Sequence, residues 1–150
     1  MTALLSLLLA AADPTAAAVA PSPPATAPAT TTPVVIEYYY RVRWGGMDEF
    51  RKLYAKNHQP VLDEMKRLGF ITRIETEVPY NHMVGEARWD LRVTITYRSA
   101  EDAVGDGTGY GAKAAEVMDR LYTDRAKHDA EEARRFALLE EHWDVIVNSE

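Results

Sequence analysis

The chain has 150 residues, carries a formal net charge of −6 and contains no cysteine. The lack of cysteine excludes a disulfide framework, a thiolate metal site and a catalytic cysteine. No stretch concentrates Lys and Arg as a phosphate-binding surface requires, so the sequence predicts no nucleic-acid partner.

The first residues have the outline of an exported leader. An apolar run from Leu4 to Ala10 is too short to span a bilayer as a helix, and Ala10-Ala11-Ala12 places small residues at the spacing of a signal-peptide cleavage site. We therefore predict a signal peptide over residues 1–12, export to the periplasm and no membrane span. Met1-Thr2-Ala3 carries no Lys or Arg, and a cytoplasmic location is the alternative if the leader is not functional.

A linker is predicted to follow the leader. Residues 13–33 are rich in Pro, Ala and Thr, and Asp13 is the only charged residue among them. Such a segment cannot bury enough apolar surface to offset its ordering entropy, so we expect it to be disordered and to carry no site. The remainder, residues 34–150, is predicted to form one folded domain.

Three strands and a helix are predicted in the first half of this domain. Apolar and polar residues alternate over 34–44, 70–78 and 89–97, as is typical of half-buried strands. Between the first two strands, Met47 to Leu68 shows apolar residues at helical spacing, and Gly69 is the expected end of that helix.

The second half predicts two helices and a last strand. Ser99 and Asp102 resemble a capping box, which would open a short helix. A glycine-rich break at 105–111 follows. A long helix is then expected from Ala112 to about Glu141, with a short fourth strand over 143–148.

The order βαββαβ predicts an α+β protein of ferredoxin-like fold, with both helices on one face of a four-stranded antiparallel sheet. The first and third strands are then central neighbours. The apolar series of each strand should lie under the helices. Its members are Ile36, Tyr38, Tyr40, Val42 and Trp44 in the first strand, Phe70, Ile74 and Val78 in the second, and Trp89, Leu91, Val93, Ile95 and Tyr97 in the third. A polar series is left on the open face. That series is Glu37, Tyr39, Arg41, Arg43, Arg73, Glu75, Glu77, Asp90, Arg92, Thr94 and Thr96.

This order of elements, with Asn57-His58-Gln59-Pro60 in the first helix, resembles the dimeric α/β-barrel superfamily, and His58-x-Pro60 is similar to an element of EthD-like domains. The resemblance implies a homodimer whose open sheet faces pair into a barrel around a small-molecule pocket. Members of that superfamily include cofactor-free oxygenases, polyketide cyclases, haem-handling proteins and proteins without known activity, so the resemblance does not select a reaction. We predict no cofactor and no metal for this chain.

His58 is the candidate catalytic residue. It follows Tyr54 by four residues, and Pro60 removes a helical N–H and frees the Lys56 carbonyl. Because histidine titrates near neutral pH, His58 could act as a general acid or base at the mouth of the barrel. The alternative is a capping or packing histidine at a helix kink.

Further polar residues are predicted to bind the substrate. The set is Arg41, Arg43, Arg92, Asp90, Tyr39, Tyr54 and His82. The arginines could hold an anionic ligand, or could instead pair with carboxylates on neighbouring strands. His82 lies in a long loop and could gate a pocket. A metal site is disfavoured because no two histidines have helical or strand spacing.

Three functional hypotheses follow from this sequence. The first is a dimeric barrel that binds a small aromatic or anionic molecule and catalyses a cofactor-independent oxidation, cyclisation or isomerisation. The second is a non-catalytic exported binding or stress-associated dimer. The third is a monomer whose polar sheet face is exposed to solvent.

Overall fold

The computed structural model describes residues 32–105 and 109–147. The predicted signal peptide, nearly all of the predicted linker and residues 106–108 of the glycine-rich break lie outside the described residues. No helix in the described part of the chain is both long enough and apolar enough to cross a membrane.

Four antiparallel strands form one sheet. They are β1 (Val34–Val42), β2 (Ile71–Glu77), β3 (Leu91–Tyr97) and β4 (Leu139–Val147). Their order across the sheet is β2-β3-β1-β4, so β1 and β3 are central neighbours, as predicted.

One face of this sheet carries the hydrophobic core. On β1 and β3 the buried residues alternate along the strand, as the sequence pattern predicted. The buried core side chains of these two strands are Ile36, Tyr40, Val42, Leu91, Val93, Ile95 and Tyr97. Removing side chains of this size from water stabilises the fold by roughly 1.5–3 kcal/mol each.

Two tryptophans assigned to the helix-covered face lie elsewhere. Trp44 is 66% exposed, because β1 ends at Val42 and Trp44 belongs to the turn that follows. Trp89 precedes the start of β3 and its ring contacts Tyr39, a residue of the open face, at a centroid distance of 6.0 Å. Alternation assigns a face only inside a strand, and both residues lie beyond a strand end.

The second strand is shorter than predicted and contains an irregularity. Its pairing with β3 shifts register between Ile71 and Arg73, which is a β-bulge. The bulge places both Ile71 and Ile74 against the core, although they are three residues apart. Strict alternation had assigned Phe70, Ile74 and Val78 to this face. Val78 is instead exposed in the loop after β2.

The first helical segment has three parts. They are α1 (Met47–Leu53), a π-helical turn called here the π-turn (Tyr54–His58), and α2 (Gln59–Arg67). The helix is wider in the π-turn, because the Gln59 N–H bonds to the carbonyl of Tyr54, five residues back, rather than to the carbonyl four residues back. Pro60 follows at once and supplies no N–H of its own. Gly69 ends the segment at a φ of +83°, as predicted.

The predicted single long helix after the glycine-rich break is wrong. The structure has a short helix, α3 (Ala100–Val104), before the break. Two helices, α4 (Tyr110–Leu121) and α5 (Arg125–Ala137), take the place of the single predicted one. Asp124 starts α5 by accepting a hydrogen bond from the Lys127 backbone N–H, which separates α5 from α4. Ser99 caps α3 through the Asp102 N–H, as predicted. β4 begins at Leu139, so Leu139, Glu141 and His142, which were expected to be helical or loop, pair with β1 instead.

The helices cover the apolar face of the sheet and contact one another. An ion pair between Arg134 and Glu49 links α5 to α1 at 2.7 Å, and Arg120 of α4 pairs with Glu64 of α2. This arrangement and the order of elements define the ferredoxin-like α+β fold, which confirms the predicted fold class.

Candidate functional site

A cavity of about 120 Å³ lies between the π-turn and the sheet. Tyrosine side chains make up most of its wall, and we call it the tyrosine cavity. Its lining is Tyr38, Tyr40, Tyr54, His58, Leu62, Ile95, Tyr97 and Tyr110. Helix and sheet residues that are far apart in the sequence thus meet at one small space.

The tyrosine hydroxyls around this space stay protonated at neutral pH. Burial raises the pKa of Tyr54 and of Tyr97 above the ordinary tyrosine value, and raises the pKa of Tyr110 to about 12. The Tyr38 and Tyr97 hydroxyls share a hydrogen bond of 2.7 Å. The Tyr54 hydroxyl is also buried, and the neighbouring Tyr40 side chain contributes to the raised pKa of Tyr54. These groups can therefore donate hydrogen bonds to a guest.

His58 is the basic group of the tyrosine cavity. Burial lowers the pKa of His58 to about 4, and the positive charge of Arg135 acts in the same direction. The imidazole is therefore neutral at pH 7, which favours a proton acceptor over a proton donor. Its ring lies 5.0 Å from the Tyr54 ring, and no hydrogen bond joins it to another residue of the described chain.

The π-turn that positions His58 is held from outside by Tyr122. The Tyr122 hydroxyl lies 2.8 Å from the Asn57 carbonyl oxygen and 3.2 Å from that of Lys56. The Lys56 carbonyl is the one that Pro60 deprives of a helical donor. The buried Asn57 side chain also donates to Glu131 at 3.0 Å, which ties the π-turn to α5.

Arg135 is a buried charge behind the tyrosine cavity. Its guanidinium forms two hydrogen bonds to Glu132, at 3.0 and 2.7 Å. It also lies 5.6 Å from the Tyr54 ring centroid and 5.7 Å from that of Phe50. These aromatic contacts replace part of the lost hydration of the cation.

On the open face, aromatic rings cluster around Tyr39. The Tyr39 ring stacks on Trp143 of β4, with centroids 5.2 Å apart and an interplanar angle of 5°. The Tyr39 hydroxyl donates to Glu37 at 2.5 Å. Arg92 pairs with Glu77 and lies 3.5 Å from Glu37. The charges of this face are thus paired across strands, which is the alternative the sequence left open.

Arg41 and Asp90 belong to an ion cluster at one end of the sheet. Its centre is Arg88, which is buried and bonds to Asp90 at 2.8 Å and to the Val42 carbonyl. Asp90 also accepts the Val42 N–H at 2.8 Å. Arg41 pairs with Glu141 at 2.5 Å. The Asp90 carboxylate is therefore occupied by protein donors.

The predicted site residues do not converge on one place. Tyr54 and His58 meet at the tyrosine cavity, whereas Tyr39 and Arg92 lie on the open face. His82 lies in the loop between β2 and β3, with its ring 6.4 Å from that of Trp44. Arg43 is exposed just beyond β1. Arg41 and Asp90 lie in the ion cluster.

Sequence reasoning missed most of the tyrosine cavity. Tyr38 and Tyr97 were assigned to the covered face as core residues, and Tyr110 to a flexible break. The available indication was the number of tyrosines in helix-facing positions, since a hydroxyl under a helix needs a polar partner. In the described part of the chain, no group of three His, Asp or Glu side chains could hold a metal ion.

The fold and site define an α+β protein of ferredoxin-like topology with a tyrosine-lined cavity beneath its helices. No family model matches the sequence, and no curated protein matches it. Among solved structures, the chain is similar to a dimeric ferredoxin-like protein from an uncultured marine organism. The identity is 12% over 80% of this chain and 90% of that chain, with a TM-score of 0.50.

Two further solved structures are similar. A NIPSNAP family protein from Agrobacterium tumefaciens is 22% identical over 80% of this chain and 88% of that chain, with a TM-score of 0.49. An EthD family protein from Bacillus halodurans is 14% identical over 79% of this chain and all (100%) of that chain, with a TM-score of 0.46. The marine protein confirms the ferredoxin-like fold, and the expected EthD-like protein is among the similar structures.

Proposed function

We propose that the tyrosine cavity binds a single-ring molecule carrying an acidic O–H or C–H group, and that His58 accepts its proton. The observation that carries this proposal is a neutral imidazole, without a hydrogen-bond partner in the described chain, beside protonated tyrosine hydroxyls. An engineered cavity of about 150 Å³ holds benzene. The tyrosine cavity, at about 120 Å³, is of that order.

The chemistry is a proton transfer. The proton leaves the ligand for a ring nitrogen of His58, and the electron pair remains on the ligand, where tyrosine O–H donors stabilise the developing oxyanion. The anion in turn favours the imidazolium beside it and raises the pKa of His58 while it is bound. An isomerisation is complete when the imidazolium returns the proton to a different carbon of the enolate, which regenerates the neutral His58 without a cofactor.

Binding is tested with phenol and toluene, which have the same shape but differ in the hydroxyl. One hydrogen bond to His58 should make phenol bind about three- to tenfold more tightly than toluene. His58→Leu should remove this difference, and His82→Leu should keep it. Equal affinities for the two compounds in the wild-type protein would contradict the proposal.

Catalysis is tested with cyclohexanone in D₂O, by following deuterium incorporation next to the carbonyl by NMR. The wild-type protein should accelerate the exchange, and His58→Gln should abolish the acceleration. Preference for phenol without any accelerated exchange would assign the chain to the second hypothesis, a non-catalytic binding protein.

We also propose that a second copy of the chain covers the open face. The stacked Tyr39 and Trp143 rings lie there, and Val145 and Val147 follow at alternate positions of β4 while being partly exposed. The similar marine protein is described as dimeric. Sedimentation should give a dimer mass, and Trp143→Glu should give a monomer, whereas Val104→Glu, at an exposed position of α3, should not. A monomeric wild-type protein would favour the third hypothesis.

We propose that the chain is exported, because the apolar run from Leu4 to Ala10 and the small residues after it resemble a signal peptide. Sequencing of the mature N-terminus after expression in a bacterium with two membranes should give a chain starting at Asp13 in the periplasmic fraction. A chain that retains residues 1–12 in the cytoplasm would overturn this proposal.

A further inference from the structure

A groove of about 240 Å³ lies between α1 and the loop that joins β2 to β3. We call it the loop groove. Planar and sulfur-containing side chains form much of its wall, including Trp44, Trp89, His82, Met47 and Met83. Trp44 is 66% exposed although the Arg88 guanidinium lies 4.2 Å from its ring centroid. Such a surface suits a flat aromatic guest.

Arg51 is the free charge of this groove. The lining of the loop groove includes two charged side chains, Arg51 and Asp90. The two carboxylate oxygens of Asp90 accept bonds from Arg88 and the Val42 N–H. The Arg51 side chain, by contrast, makes no ion pair or hydrogen bond with any described residue. The groove therefore offers an unneutralised cation.

Few arginines of the described chain lack an ion-pair partner. Within residues 32–105 and 109–147, all arginines except Arg43 and Arg51 have a carboxylate within 4.0 Å. Both residues are exposed, but Arg43 lines neither the loop groove nor the tyrosine cavity. Arg51 alone of the two lines a cavity, which makes Arg43 a matched control.

Shared wall residues connect the loop groove with the tyrosine cavity. Arg51 also lines a second cavity of about 160 Å³, together with Gln59 and Leu91. Tyr54 lies in the wall of this second cavity and in that of the tyrosine cavity. Arg51 and His58 are seven residues apart on one helical segment, which places them on the order of 10 Å apart along its axis.

We propose that the loop groove binds the carboxylate of a single-ring aromatic acid through Arg51, and that the acid passes Tyr54 to reach His58. The step to His58 rests on the proposed function, whereas binding at Arg51 does not. A guanidinium matches the planar carboxylate with two parallel hydrogen bonds, and one unpaired arginine balances one negative charge. The substrate class of the tyrosine cavity is accordingly aromatic carboxylic acids.

The test compares 4-hydroxybenzoate with its neutral amide, 4-hydroxybenzamide, by calorimetric titration of the full protein. The acid should bind about tenfold more tightly than the amide, because charged hydrogen bonds contribute more than neutral ones. Arg51→Met should equalise the two affinities, and Arg43→Met should preserve the difference. The acid should also shift the indole N–H resonances of Trp44 and Trp89 but leave that of Trp143 in place.

Equal binding of acid and amide to the wild-type protein, or the same loss in Arg43→Met as in Arg51→Met, would overturn this inference. The results for Arg51→Met and His58→Leu distinguish a failure of this inference from a failure of the proposed function. If Arg51→Met keeps the preference for the acid while His58→Leu removes that for phenol, the inference alone fails. If the acid preference depends on Arg51 but phenol binding is insensitive to His58, the proposed function fails and the loop groove is an independent site.

Discussion

The Tyr122 hydroxyl donates a hydrogen bond to the Asn57 carbonyl oxygen at 2.8 Å and so joins the end of α4 to the π-turn. The same hydroxyl lies 3.2 Å from the Lys56 carbonyl oxygen, which has lost its helical donor to Pro60. The helix defect that places His58 is thus satisfied by a tyrosine more than sixty residues away in the chain.

Tyr122→Phe should lower the free energy of unfolding by about 1–2 kcal/mol, because it leaves carbonyls of the π-turn without a donor. Urea denaturation measures the change. Tyr80→Phe, at a fully exposed loop position, is the control and should match the wild-type protein. Unaltered stability of Tyr122→Phe would show that water replaces the hydroxyl at no cost.

The depressed pKa of His58 predicts a pH dependence of stability. The unfolded imidazole binds a proton near pH 6.5 and the folded one only near pH 4, so lower pH favours the unfolded chain across this window. Between pH 7 and pH 5 the contribution of His58 to the free energy of unfolding should fall by about 2 kcal/mol.

The measurement is urea denaturation of the wild-type protein and of His58→Gln at both pH values. The variant should lose less stability than the wild-type protein on going from pH 7 to pH 5, and His82→Gln should behave like the wild-type protein. The same pH dependence in His58→Gln and in the wild-type protein would mean that the folded imidazole titrates normally.

The central strands β1 and β3 were predictable because each is buried on one face only, so that buried and less buried residues alternate along it. The first helical segment was predictable from the spacing of its apolar residues, although its π-turn was not. The second half was not predictable in the same way. The charged stretch around Asp124 reads equally well as an exposed helix or as a helix start, and only the bond from the Lys127 N–H to Asp124 decides between them.

The candidate site was predictable in part. His58 and Tyr54 follow from helical spacing beside Pro60. The burial of Arg135 was not predictable, because an arginine in a charged stretch is expected to be exposed to solvent. Its burial depends on Phe50 and Tyr54, which lie more than eighty residues earlier and supply the rings around its guanidinium.

Arg135→Met should lower the free energy of unfolding by about 3 kcal/mol, because it leaves the half-buried Glu132 carboxylate without its partner. Its neighbour Arg134 is a matched control. Arg134 pairs with Glu49 in solvent, and Arg134→Met should lower the free energy of unfolding much less than Arg135→Met does. Similar costs for the two variants, by thermal or urea denaturation, would contradict the assignment of Arg135 as a structural buried cation.

Asp90→Ala should destabilise the fold by about 3 kcal/mol, because it removes the carboxylate that pairs with the buried Arg88 guanidinium and accepts the Val42 N–H. Asp119→Ala, at an exposed carboxylate 3.9 Å from Arg125, should have little effect on stability. The phenol affinity of folded Asp90→Ala should equal that of the wild-type protein. A stable variant with weakened phenol binding would instead support the sequence-based prediction that Asp90 binds substrate.

The most direct test of the central claim is an NMR titration of the His58 ring in protein labelled with ¹⁵N-histidine, with and without phenol. We expect the free His58 ring to be neutral at pH 7, to titrate with a pKa of about 4, and to be the histidine whose ring nitrogens shift when phenol binds. A His58 pKa near 6.5, with ring resonances that phenol leaves unmoved, would contradict it.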